Sequence, residues 1–217
     1  MNPFLYPRVR HTRTQRPHRF SDYRRYKPFL RMEFSRQCVY CRLPDGLRGE
    51  NAFGVDHYRP VSRFPELECE YANLFYACNS CNWRKGDFWP EPRQWAEGRL
   101  IPNPCDHRMA EHLRFERTRV SALTAAGLVT LEFLLLNQPD DVEYRDFLLR
   151  AIEHCLRFRR AVVQSLFDLD ARLREAGATE LHGLLADRAL LVSDLESVDR
   201  DLERLTGSAV DASSQAI

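Results

Sequence analysis

Lysine is nearly missing from this chain: of 32 basic residues 30 are arginine, leaving only Lys27 and Lys85. Arginine codons are GC-rich, so the composition of a genome explains that bias without any ligand. Long apolar runs are missing too. No stretch approaches the roughly eighteen residues that a membrane span needs, and no apolar segment of secretory length follows Arg8, Arg10 and Arg13. We therefore expect a cytosolic protein with no membrane contact. Internal repeats are absent, which excludes a fibrous array. With 44% hydrophobic and 29% charged residues in 217, the chain buries a core and forms at most two folding units.

A net charge of +1 conceals a gradient. Residues 1–37 hold ten basic and two acidic residues, a net of +8; residues 38–137 hold twelve and thirteen, a net of −1. Residues 138–217 hold ten and sixteen, a net of −6, so a polyanion would meet the first segment and avoid the last.

Residues 1–20 carry Pro3, Pro7 and Pro17 among arginines and read as an extended basic arm, mobile on its own. Arginine interleaved with Phe4, Tyr6, Phe20, Tyr23 and Tyr26 suits phosphate contacts and base stacking. The alternative is a packed extension with solvated arginines, because Tyr23 to Phe34 is amphipathic. Val55–Tyr58 and Leu74–Ala77 read as short strands, and a helix begins near Asn79 and stops before Gly86. Residues 90–112 form a wrapping loop and Leu113–Leu123 a strand. Thr124 caps a helix towards Leu136, and apolar steps of three or four after Pro139 mark a helical hairpin that turns at Gly177. The expected organisation is a basic arm and lead-in helix at 1–37, a compact core at 38–90, a wrapping loop, strand and helix at 91–137, and the hairpin at 138–217. That hairpin suits self-association or a protein partner.

Seven cysteines is an odd number, and four of them form Cys38-x-x-Cys41 and Cys78-x-x-Cys81. Two such pairs in a reducing compartment suit one tetrahedral Zn²⁺, and four thiolates leave no open position, so this zinc is structural. The 36 residues between the pairs exceed what a zinc ribbon needs. They contain Val55-Asp56-His57-Tyr58-Arg59-Pro60 and Tyr71-Ala72-Asn73-Leu74, and the second pair runs into Asn82-Trp83-Arg84-Lys85-Gly86. Neighbouring Asp and His on a strand point to opposite faces, so one can hold a cation while the other handles a proton. Asp and Asn oxygens suit Mg²⁺ or Mn²⁺, and a neutral imidazole suits a general base.

In these motifs the sequence resembles the HNH endonucleases, strongly over residues 38–87. The Tyr-x-x-Tyr-Lys-Pro-Phe-Leu lead, Asn103-Pro104 and Leu136-Asn137 resemble bacterial members, some of which act in phage defence. The resemblance implies an α+β chain: a small, zinc-stapled ββα-metal core of treble-clef type with a mainly α-helical C-terminal region. It implies His57 as general base, Asp56 and Asn82 as ligands of a catalytic Mg²⁺ or Mn²⁺, and Asn73 as the residue that orients the catalytic loop. Asn82 stands where the family name has a histidine, which favours Mg²⁺ over softer metals. Arg59, Arg84 and Lys85 are candidate phosphate contacts. The implied activity is one-metal hydrolysis of DNA, in defence or restriction; RNA is a rival substrate, and a non-catalytic zinc-knuckle module binding nucleic acid or protein is the other reading. Asp106, His107, Glu111 and His112 lack flanking knuckles and read as loop residues.

Overall fold

The computed structural model describes residues 2–208. The prolines keep residues 2–20 out of regular structure, yet the segment is not the mobile arm expected from its composition. Phe4, Tyr6 and Phe20 are buried in the core, and the Tyr6 hydroxyl donates to the Tyr40 carbonyl. Buried Glu33 accepts from the backbone N–H groups of Thr14 and Gln15 and from the Thr14 hydroxyl, with His11 at 2.9 Å. Arg13 lies over the rings of Phe34, Tyr71 and Phe75 and donates to the Leu74 carbonyl. Each buried aromatic stabilises the docked segment by about 1.5–3 kcal/mol, which outweighs the extended, charged character of the rest.

A 3-10 turn over Tyr23–Tyr26 leads into α1 (Lys27–Glu33), with Pro28 in the first turn, where its missing N–H has no helical partner to lose. After the first cysteine pair comes β1 (Phe53–His57), which pairs antiparallel with β2 (Leu74–Cys78) so that Asp56 lies opposite Phe75 and His57 opposite Leu74. All five β2 residues are buried. α2 (Asn79–Lys85) starts where β2 ends, because the Cys78 sulfur accepts from the Cys81 N–H and caps it; Gly86, at φ +47°, stops it. Two strands and one helix thus form the ββα unit.

The wrapping segment holds α3 (Pro92–Ala96) and α4 (Met109–His112), then β3 (Leu113–Glu116) and β4 (Arg119–Ala122). The single strand expected at 113–123 is instead a hairpin, turned at Arg117 with φ +56°. Thr124 caps α5 (Ala125–Phe133) by accepting from Gly127 N–H, and Gly127 must lack a side chain because a Cβ would lie 2.0 Å from the His112 carbonyl oxygen.

α6 (Pro139–Glu175), about 55 Å long at 1.5 Å per residue, and α7 (Ala178–Thr206) form the hairpin. Its base grips the rest of the chain at both ends. The Arg84 guanidinium donates to Asp141 at the start of α6. At the end of α7, Arg36 pairs with Glu203, Gln37 donates to the Thr206 carbonyl, and Gly46 approaches the Arg204 carbonyl so closely that a Cβ would lie 2.0 Å from it. Buried Arg159 pairs with Asp199 between the two helices. No helix among the described residues is long and apolar enough to cross a membrane.

Candidate active site and zinc centre

Cys38, Cys41, Cys78 and Cys81 bring their sulfurs within 4.8 Å of one another, and Cys41 and Cys78 sulfurs are 3.7 Å apart. A tetrahedral zinc with bonds of about 2.3 Å requires sulfurs about 3.8 Å apart, so the quartet fits a structural zinc. Burial by itself raises a thiol's pKa, yet the three neighbouring sulfurs hold Cys38 well below the ordinary thiol value, while Cys41 and Cys81 are pushed up against it. The charge around the cluster fits a divalent ion as well. Arg42 faces Cys38 and Cys41, and Arg145 faces Cys41 and Cys81; burial lowers the pKa of both guanidiniums. Arg145 donates only to the carbonyls of Thr118 and Leu136, and Arg42 leaves its Nε without a partner. Four thiolates on a divalent cation would carry a net −2, which buried Arg145 and half-buried Arg42 would offset.

A pocket of about 330 Å³ is lined by Asp56, His57, Asn82, Tyr23, Glu68 and Asp87, among others. The three residues picked out as base and cation ligands therefore face one opening. The ring Nε2 of His57 lies 2.9 Å from the Glu68 carbonyl oxygen. A carbonyl can only accept, so Nε2 carries a proton, and in the neutral imidazole the lone pair is then on Nδ1. The Tyr23 ring packs edge-on against the imidazole, 4.6 Å between centroids.

Asp56 is 2% exposed and more heavily engaged than a free ligand. Its Oδ1 accepts from Lys85 Nζ at 3.0 Å and its Oδ2 from the Tyr40 hydroxyl at 2.6 Å. Burial, with Asp56 adding to it, pushes the Tyr40 phenol well up, so it stays a donor. The Lys85 ammonium also donates to the His57 carbonyl, tying both halves of the Asp-His pair to α2. An ionised carboxylate offers about four acceptor directions; Tyr40 and Lys85 take two, so Asp56 retains capacity for a hard cation. Asn82 donates its amide N–H to the Val55 carbonyl, which leaves its Oδ1 as the free end. Oxygen donors of this kind fit Mg²⁺ or Mn²⁺.

Asn73 is buried and works through its amide. Its Oδ1 accepts from the Arg59 N–H and its Nδ2 donates to the carbonyls of Arg59 and Leu67, clamping the loop that leaves β1. Of the three candidate phosphate contacts, Arg59 is exposed, against the rings of Phe64 and Trp89. The other two differ from expectation. Lys85 is buried on Asp56, and Arg84 is spent on the Leu134 carbonyl and Asp141 as a strut to α6. Glu68 and Asp87 were not singled out in the sequence, and Tyr23 only as an aromatic of the basic arm: Glu68 acts through its backbone oxygen, which no side-chain motif encodes. Among the described residues, the cysteines are the one group of three or more His, Cys, Asp or Glu side chains with closely gathered ligand atoms, so Asp106, His107, Glu111 and His112 form no second centre.

The HNH endonuclease family matches this chain over residues 38–88, the segment that carries both cysteine pairs and the whole pocket lining except Tyr23. Among curated proteins, the chain is 28% identical over 125 residues to "Septu protein PtuB" of Bacillus thuringiensis, a match that covers 54% of this chain and 45% of that protein's length. No solved structure matches it significantly.

Proposed function

We propose that this protein is a Mg²⁺-dependent endonuclease that hydrolyses DNA phosphodiester bonds, with His57 as general base. The observation that carries the reading is one pocket lined by the imidazole, the carboxylate and the amide. With Nε2 protonated and held by the Glu68 carbonyl, Nδ1 can take a proton from a water aligned with the scissile phosphate. Asp56 and Asn82 would hold the divalent ion, which supplies charge stabilisation at the phosphate and at the departing 3′ oxygen. Asn73 fixes the loop behind His57, and Lys85 anchors the backbone of His57 and the carboxylate of Asp56 to α2. The products are a 5′ phosphate and a 3′ hydroxyl.

The cysteine quartet holds a structural zinc that fixes the first knuckle to the start of α2, and two Cys-x-x-Cys pairs gathered on one metal suit a reducing, cytosolic setting. Likeness to bacterial defence nucleases supports a role in phage defence or restriction. Phe147, Phe158 and Phe167, exposed along α6, support the hairpin as an assembly element.

Purified, zinc-loaded protein should convert supercoiled plasmid to nicked or linear form when Mg²⁺ is added, and EDTA should stop it. RNA offered at equal concentration separates the two polymers. Plasmid left supercoiled in both Mg²⁺ and Mn²⁺ would favour the alternative, a zinc-knuckle module that binds without cutting.

A further inference from the structure

The pocket at His57 does not end at Asn82. A second concavity, about 320 Å³, shares Tyr23 and Asn82 with it and continues along β1 past Phe53, Gly54 and Val55. Its outer wall is Arg24 and Lys27, from the 3-10 turn and the start of α1. Gly54 lies in the floor, where an added Cβ would sit at ordinary contact distance, 3.5 Å, from Asn79 Oδ1 and Asn82 Nδ2. One groove thus runs along β1 with the base at one end and two cations at the other.

These cations are available, unlike the pair on α2. Arg24 is 75% exposed and touches only half-exposed Asp22 at 3.8 Å, an ion pair of little energetic weight. Lys27 Nζ donates to the Glu50 backbone carbonyl, which leaves its charge unneutralised. The remaining basic residues of α1 and its exit are committed: Arg31 is hydrogen-bonded to Asp45, and Arg36 to Asp45 and Glu203. Tyr23 sits at the junction, its ring edge on His57 and Arg24 at 5.0 Å from its centroid.

We propose that this groove is the backbone track of the strand being cut, with Arg24 and Lys27 binding phosphates on one side of the scissile bond and Arg59 lying towards the other. Two positive side chains beside a narrow floor, in line with the base, match the spaced anionic groups of a nucleic-acid strand. Phosphate contacts of this kind position the strand without reading its sequence. The inference rests on the endonuclease reading, but it is tested by binding and not by cleavage.

The test measures affinity of zinc-loaded protein for a fluorescent 20-bp DNA duplex, in buffer without added Mg²⁺ or Mn²⁺ and without chelator, from 50 to 200 mM salt. Each lost phosphate contact should lower the slope of log K against log salt by about 0.9, so Arg24→Ala/Lys27→Ala should lower it by about 1.8 and weaken binding at least tenfold at 50 mM. Arg172→Ala/Arg174→Ala on α6 removes the same charge far along the chain and serves as control; Arg24→Glu/Lys27→Glu should weaken binding further. If the groove variant loses no more affinity or slope than the control, the track is overturned. An RNA duplex run in parallel identifies which polymer the track prefers. Failure of wild-type protein to cleave in Mg²⁺, with the groove effect intact, would instead overturn the endonuclease reading.

Discussion

Replacing Lys85 with methionine tests the buried ion pair on which the pocket is built. Nζ lies 3.0 Å from Asp56 Oδ1, and the two side chains are 1% and 2% exposed, so little water can make up for the lost ammonium. Removing one partner of such a pair leaves an uncompensated charge and costs about 3–5 kcal/mol. For a chain of this size that lowers the melting temperature by about 6–20 °C. Asp56→Asn/Lys85→Met removes both charges, and its loss should fall short of the summed single losses by about 0.5–3 kcal/mol, the range found for residues in contact. Thermal unfolding of the zinc-loaded proteins at pH 7, followed by circular dichroism, measures all four corners of the cycle. Additive losses would show that Lys85 and Asp56 are not coupled, and the account of how α2 holds the Asp-His pair would then be wrong.

Stripping zinc should unfold the knuckles, since the quartet joins the first loop to α2 over a two-stranded sheet: a chelator strong enough to remove one zinc per chain should abolish the cooperative transition, and retention of that transition would contradict a structural role. Glu33→Gln should loosen residues 2–20 and cost about 1–3 kcal/mol at pH 7, read by urea unfolding. Burial raises the Glu33 pKa, but hydrogen bonds from the Thr14 and Gln15 N–H groups and from His11 outweigh it and hold the carboxyl below its ordinary value. Its stabilisation is therefore fully present above the ordinary glutamate pKa, about 4.3, and is lost as pH falls through the lower folded value; the glutamine variant should lack that acid-side dependence.

Much of the site was legible because its chemistry is written in side-chain types at fixed spacing. Two Cys-x-x-Cys pairs give the metal fit, and the ββα elements that carry Asp56, His57 and Asn82 follow from short apolar runs, a helix start near Asn79 and a stop at Gly86, while the cap by the Cys78 sulfur is seen only in the structure. Electrostatic partners were less legible. Lys85 and Arg84 look like surface cations in sequence, but Lys85 neutralises Asp56 and Arg84 ties α2 to α6. The basic arm misled for a related reason: its charge is spread over extended backbone, while alternate aromatics and the Glu33 acceptor dock it. Glu68 enters through a carbonyl 11 residues from His57, a contact that only the loop conformation specifies.

The most direct test of the mechanism is the single-turnover cleavage rate of His57→Ala in saturating Mg²⁺, with zinc content and DNA affinity measured on the same preparation. Loss of general-base catalysis predicts a rate lower by about 10²–10⁴, with one zinc per chain and a dissociation constant within about twofold of wild type. A variant that cuts at the wild-type rate would contradict the assignment of the base.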